Sequence, residues 1–350
     1  MSFTSRILTP ADDDKLITFL DALSANNPSV LGYHYPIYRD MLQHCGVGQA
    51  MSIGCFQDDV LVGCIPLFIK ESDGECALSS MPYFGPNAGV LCDYSSEWAE
   101  EIHALLLNEA LALAVEKNAV SISFYTPFQN NATEEYYVQH LHDAYVVDKH
   151  TTYIELDKYE PDSSLRYDLR KAESAGVKIM AVRNDDDIIA LNDIYQKNCA
   201  DYGIPPKSLD CLRLLANASN EGGNTTTWLA MLDNKIVAGL IMIFSPATAS
   251  YYLPCSLHEY RTQQPSTVLI HHAMMHARSR GIRLWNWESS PSKESGVYKF
   301  KKKWGSMDGT YKIFVKPLRN TDYFRTHGSN GISSRFPYFF VYPFNLLQPA

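Results

Sequence analysis

The feature that most constrains this chain is a repeat at the scale of a domain. Val62-Gly63-Cys64-Ile65-Pro66-Leu67-Phe68 and Val237-Ala238-Gly239-Leu240-Ile241-Met242-Ile243-Phe244 hold equivalent places about 175 residues apart. Each is the second arm of a hairpin signal. The first joins 50–56 to 60–69 through Gln57-Asp58-Asp59, and the second joins 227–232 to 236–244 through Asp233-Asn234. A strand, a loop, a helix and a strand follow each hairpin. In the first copy the strand is 89–92 and the helix is 97–117, with Ser95 or Ser96 as cap and Ile102, Leu105, Leu106 and Leu113 as its apolar stripe. The buried strand 120–125 closes it. In the second copy the elements are 249–254, a helix from 266 to 279 stopped by Gly281, and 283–288. A period this long is a duplicated domain and not a solenoid repeat. The expected fold class is therefore α/β, of α+β character, with two like domains in tandem. Each is a mixed central sheet flanked by helices. The expected boundaries are 1–160 and 161–320, with 321–350 as an aromatic tail.

Composition narrows the function classes. The hydrophobic share of 46% and charged share of 20% suffice for two ordinary cores. A net charge of -9 argues against general nucleic-acid binding and leaves room only for a local phosphate contact. The eight cysteines show no C-x-x-C and no zinc spacing, and several sit in apolar runs, which fits a reducing compartment. The start, MSFTSRILTPADDDK, is too polar for a signal peptide, and no run approaches a membrane span. A cytoplasmic location is expected.

The chemistry concentrates late in the chain. In Leu284-Trp285-Asn286-Trp287-Glu288, alternation places both tryptophans on one strand face and Asn286 and Glu288 on the other. A polar loop leads to Tyr298-Lys299-Phe300-Lys301-Lys302-Lys303-Trp304-Gly305. Interleaved aromatics exclude a solvated basic tail. If this run is helical, Lys299, Lys302 and Lys303 point differently from Lys301, so only one or two lysines can enter a cleft. Upstream, 163–176 reads as a helix capped by Ser163 or Ser164, with Leu165, Leu169 and Ala172 inward and Gly176 as its stop. Arg166 and Arg170 lie one turn apart on one face, as an anion contact or a solvated basic stripe.

Three segments carry a family resemblance. They are G-x-Y-x-F-K-x-x-W-G at 296–305, R-x-x-x-R-K-A-x-x-x-G at 166–176, and Ser80-Met81-Pro82 followed by Gly89. Together they resemble the FemA/FemB-like transferases of the GNAT acyltransferase fold group, which include peptidoglycan-bridge and exopolysaccharide-associated proteins. The resemblance implies tandem GNAT-like domains and amide formation on an amine acceptor. It makes Lys301 the functional lysine, holding an acceptor phosphate or the negative charge that develops on the acyl carbonyl. It also favours Arg166 and Arg170 as anion contacts at a cleft between the domains. Glu288, at a strand end beside tryptophans, is the candidate base, although the family often has Asp-x-Gly there. Tyr83, Tyr252, Asn286, Tyr298 and Trp304 complete the expected substrate-binding set.

The donor is argued from what replaces a phosphate loop. Arg261-Thr262-Gln263-Gln264-Pro265-Ser266 lacks the glycines of a CoA cradle, and Pro265 deletes an N–H donor. FemA/FemB-like transferases share this loss and take the acyl group from aminoacyl-tRNA, so the resemblance implies aminoacyl-tRNA as donor, through a local contact. Acyl-CoA-dependent N-acylation of a sugar or amino compound is the alternative, and a non-catalytic binding protein is the third reading. No tightly bound cofactor and no metal are expected. His272 and His276 have i,i+4 spacing but no third ligand, and Cys255 with His258 does not make a nucleophilic pair. The segment Phe336-Pro337-Tyr338-Phe339-Phe340-Val341-Tyr342-Pro343-Phe344-Asn345-Leu346-Leu347 reads as a strap on the protein's own surface or as a peripheral membrane foot.

Overall fold

The structure, a computed structural model, describes residues 2–25, 27–82, 87–129, 133–220 and 223–347. It divides into two compact units, Met1–His150 with Thr310–Ala350, and Thr151–Gly309.

The first unit opens with β1 (Thr4–Ile7), α1 (Asp13–Ser24) and α2 (Pro36–His44). Six strands follow: β2 (Gln49–Ala50), β3 (Ile53–Gln57), β4 (Val60–Ile65), β5 (Phe68–Ser72), β6 (Glu75–Ser79) and β7 (Leu91–Cys92). Then come α3 (Ala99–Glu116), β8 (Ala119–Tyr125) and α4 (Glu134–His140). Asp58 and Asp59 both adopt left-handed φ values, 47° and 67°, as a two-residue hairpin turn between β3 and β4 requires. Pro66 cannot donate to a ladder, and the single strand expected over 60–69 is accordingly broken into β4 and β5. One sheet has the order β1-β3-β4-β7, while β2, β5, β6 and β8 lie in order in another. α3 buries Ile102, Leu106, Leu107 and Ala110 in the unit's main core. It passes so close to β4 that a Cβ on Gly63 would collide with Ile102. One expectation needs correcting. The strand at 89–92 is only Leu91–Cys92 and pairs antiparallel with β4, whereas the strand parallel to β8 is β6.

β9 (Tyr145–Glu155) carries the chain into the second unit. There α5 (Ser163–Ser174), β10 (Lys178–Ala181), α6 (Asp185–Tyr202) and α7 (Leu209–Asn220) precede the hairpin β11 (Thr225–Leu232) and β12 (Lys235–Phe244). β13 (Thr248–Ser256), α8 (Pro265–Ser279), β14 (Leu284–Ser289) and α9 (Gly296–Lys302) complete it. The sheet order is β10-β11-β12-β13-β14-β9, antiparallel except for β13 beside β14. Its core packs Leu240, Met242, Leu269, Met274, Trp285, Trp287 and Trp304 together. Gly239 on β12 has no room for a side chain because Leu191 of α6 occupies it. α5 is capped by Asp162, whose Oδ1 accepts from Leu165 N at 2.8 Å, so Ser163 and Ser164 form the first turn instead of the expected cap.

The chain then returns to the first unit as β15 (Met307–Pro317), antiparallel to β8, and α10 (Thr321–Arg335). The aromatic segment that follows is a strap. Phe336, Phe339, Val341 and Tyr342 are buried, Tyr342 stacks on Phe324 at 4.1 Å, and its hydroxyl meets that of Tyr145 at 3.0 Å. Of the six rings from Phe336 to Phe344, Phe336, Phe339 and Tyr342 are spent on the unit's own core, as the strap reading expects, while Tyr338, Phe340 and Phe344 are half-buried. Among the described residues no helix is long and apolar enough to cross a membrane. The expected α/β class, with mixed sheets flanked by helices, is borne out.

Candidate functional site

The second unit contains a place where its sheet opens. β13 and β14 run parallel for three rungs, Thr248↔Leu284, Ala249↔Trp285 and Ser250↔Asn286. Beyond the third rung each strand carries a bulge. On β13, Tyr251 pairs Met242 and Leu253 pairs Ile241, so Tyr252 is the extra residue against β12. On β14, Asn286 pairs Tyr153 and Ser289 pairs Thr151, which inserts one residue, and Glu288 takes a left-handed φ of 61°. A non-glycine residue in that region persists only where its surroundings demand it. Paired bulges re-aim backbone and side chains where pairing ends.

Lys301 explains why β14 ends there. α9 starts at Ser295, whose hydroxyl accepts from Tyr298 N, and its short turn brings Lys301 inward. The Lys301 side chain is 3% exposed, and its Nζ donates to Glu288 O at 3.0 Å and Ser289 O at 2.8 Å. Burial pushes this ammonium down to about 8, against the opposing pull of Glu288. Glu288 is fixed in turn by Asn286. Asn286 Nδ2 donates to Glu288 Oε1 at 2.8 Å, and Glu288 N donates to Asn286 Oδ1 at 2.9 Å. The remaining reach of the wholly buried Asn286 amide goes to Ser250 and Thr151.

The aromatics of the motif are packing. Trp285 and Trp287 stand edge to face at 5.6 Å, Tyr251 lies against both, and Trp304 closes on Trp287 at 5.6 Å. Trp304 is buried, and Phe300 covers it from the solvent side. Tyr298 lies at the surface and donates to Asp308. Lys302 Nζ reaches Ser306 O, and Lys303 pairs with Asp168 of α5. That ion pair fastens α5 to α9. Arg166 and Arg170 are both exposed on α5, so this fastened helix presents their two guanidiniums to solvent. Of the sequence-nominated residues, Lys301, Glu288 and Asn286 meet directly, Trp304 packs behind them, and Tyr83 lies outside the described residues.

Sequence reading missed Lys207. In the segment between α6 and α7 its Nζ sits over the rings of Tyr252 at 5.3 Å and Tyr195 at 5.9 Å, and burial pushes it down to about 8. The only local signal was the preceding Pro205-Pro206, which fixes the approach of the chain. The other candidates resolve as packing. His272 and His276 rest edge-on against Trp228, and burial pushes Cys255 up to about 12. Among the described residues no three His, Cys, Asp or Glu side chains converge as a metal set.

At the start of α8, Gln264 is left-handed with φ 57°, Pro265 follows, and the N–H groups of Thr267 and Val268 both go to Gln264 O. The geometry offers little backbone for a pyrophosphate.

Residues 162–287 match the family model of the acetyltransferase (GNAT) domain. No curated protein matches the chain in sequence. Among solved structures, FemX is 14% identical with a TM-score of 0.71, covering 92% of this chain and 99% of FemX. L-PGS from Bacillus licheniformis is 11% identical with a TM-score of 0.62, covering 95% and 98%. A tandem GNAT protein from the clavulanic acid biosynthesis pathway is 12% identical with a TM-score of 0.55, covering 91% and 99%. The resemblance to FemA/FemB-like chains is thus borne out at the level of fold. Residues 162–287 are similar to the acetyltransferase (GNAT) domain, and the chain as a whole has the fold seen in FemX.

Proposed function

We propose that the chain is an acyltransferase that forms an amide on an amine acceptor at the split between β13 and β14, with an aminoacyl ester of tRNA as donor. The observation that carries this reading is the buried Lys301 ammonium. Two of its three N–H bonds hold the last carbonyls of β14, which leaves one for a substrate oxygen. The amine attacks the ester carbonyl, and the tetrahedral oxyanion is held by Lys301 with help from strand N–H groups at the bulges. The C–N bond forms as the C–O bond to the ribose breaks. The amine proton passes to Glu288, which Asn286 orients, or to water, and a proton from the same group is returned to the departing ribose oxygen, which leaves as the hydroxyl. Positioning of two substrates supplies most of the rate, so no nucleophilic side chain is needed.

The donor choice rests on the first turn of α8, where Pro265 and the committed N–H groups offer a poor cradle for CoA. Arg166 and Arg170 would take a donor or acceptor phosphate, and Lys207 over Tyr252 would add a second cation near the bulge. The second reading, acyl-CoA as donor, is favoured by the match of 162–287 to the GNAT acetyltransferase domain. Thermal shift and single-turnover amide formation with acetyl-CoA and with charged tRNA separate them. Turnover from charged tRNA without stabilisation by CoA is expected. Stabilisation by micromolar CoA would reverse the donor.

A further inference from the structure

We infer that the first compact unit carries a separate small-molecule site suited to an amino sugar. It is an open pocket of ≈ 640 Å³, between α1, α3 and the face of β3 and β4. Small ligands occupy pockets of roughly 300–1,000 Å³, so one or two sugar rings fit.

The lining has a division of labour. Phe3 and Trp98 meet edge to face at 6.1 Å and form an aromatic wall, over an apolar floor from β4 and α3. A pyranose presents a face of C–H groups, which packs on such a wall. Gln57 and Gln129 bring amides that both donate and accept, as neighbouring sugar hydroxyls do. Gln129 is held at φ 57°, a left-handed conformation that a side-chain-bearing residue adopts at a cost.

Asp93 sets the charge. Its Oδ1 accepts from Ser95 N at 2.9 Å and Ser95 Oγ at 2.6 Å, which fixes the carboxylate at the pocket. No Lys, Arg or His lines the pocket among the described residues, and the first turn of α3 adds Glu100 and Glu101 nearby. A phosphate or carboxylate would meet negative charge and no cation. An ammonium would pair with Asp93. A hexosamine satisfies every wall at once: C–H face, hydroxyls and one cation. The inference does not depend on the transfer reaction, because the residues that form this pocket belong to the other unit from Lys301.

The test uses the full chain with glucosamine, glucose and glucose 6-phosphate, by saturation-transfer NMR and calorimetry. Saturable glucosamine binding is expected, with glucose weaker and glucose 6-phosphate silent. Asp93→Asn keeps the oxygen that Ser95 holds and removes the charge. It is expected to weaken glucosamine about tenfold, the equivalent of one charge-assisted hydrogen bond, and to leave glucose unchanged. Trp98→Ala should lose both sugars. Because Trp98 also packs on the core, its fold is checked by circular dichroism, and Gln57→Ala is carried beside it with an expected loss of about threefold or more. Failure of glucosamine to saturate the wild type, or binding that neither Asp93→Asn nor Gln57→Ala moves, would overturn the inference.

Discussion

Each unit contains a parallel strand pair bridged by a long helix, and the two pairs end differently. In the first unit β6 and β8 stay zipped to their ends. After Ser79↔Ser123, Ser80 N donates to Ser123 O at 2.8 Å, Tyr125 N donates to Ser80 Oγ at 2.9 Å, and Ser123 Oγ donates to Ser79 Oγ at 3.0 Å. In the second unit β13 and β14 part after Ser250↔Asn286, and the last carbonyls of β14 bond to a lysine instead of a neighbouring strand. Short hydroxyls close one pair, and one long buried cation terminates the other. The same order of elements therefore yields a sealed sheet in one copy and an open one, with a charged donor at its edge, in the other. Chemistry on a carbonyl needs the second arrangement, because a strand whose donors all face another strand has none to offer a substrate.

The largest effect expected from this contrast is on Lys301. Lys301→Ala should lower kcat/KM by about 100-fold or more, the usual consequence of deleting an oxyanion donor. It also leaves two part-buried carbonyls without their donor, so some loss of stability accompanies it, about 1 kcal/mol. A purely structural lysine would give the stability loss while the folded fraction kept full turnover, and single-turnover assay normalised to folded protein distinguishes the two.

The second effect is on pH. The ordinary lysine value of 10.5 is lowered to about 8 in the folded chain. Only the protonated amine has a third N–H beyond the two held by the β14 carbonyls and a positive charge for an oxyanion, so activity should be full below about 8 and fall about tenfold per unit above it. Stability moves the other way. Between about 8 and 10.5 the unfolded chain binds the proton that the folded chain has lost, so folding strengthens as pH rises through that window. The difference in stability between wild type and Lys301→Met, followed by urea unfolding from pH 7 to 10, should shift in favour of the wild type. A pH–rate profile that is flat from 7 to 9 would remove Lys301 from the chemistry.

The two ends of the comparison were unequally legible. Asp58-Asp59 and Asp233-Asn234 announce their hairpins, because both positions need left-handed residues and the strands alternate around them. The hairpin of β5 and β6 carries the same signal in Asp73-Gly74, with φ 52° and 76°, yet its mixed strand FIKES hides the alternation. Lys301 could be singled out only through the resemblance, which makes the lysine after Phe300 the functional one; the interleaved aromatics told no more than that the run is not a solvated tail. That its ammonium would bond the carbonyls of its own strand end could not be seen, since the left-handed Glu288 arises from pairing between distant segments. Lys207, Tyr195 and Tyr252 converge only once α6 and the following loop fold over β13. The cap of α5 was misplaced by one residue because Asp162, Ser163 and Ser164 all have side chains able to accept the same N–H.

The smallest effect sharpens the comparison from the sealed side. Ser80 is wholly buried, and its hydroxyl oxygen is the acceptor for Tyr125 N, the last backbone donor of β8. Ser80→Ala leaves that N–H without this acceptor in a core that includes Phe124, so the cost is that of one lost buried hydrogen bond, about 1–2 kcal/mol. Ser80→Thr keeps the hydroxyl and adds a methyl, so it should recover part of the loss unless overpacking offsets it. Neither change should alter turnover per folded molecule, because closing or loosening β6 against β8 leaves the Lys301 donor untouched in the second unit. Urea midpoints for the two variants, read beside turnover normalised to folded protein, decide the matter. A fall in turnover of the same order as that of Lys301→Ala would mean that the sealed pair takes part in the chemistry, and the division of labour between the two copies would fail.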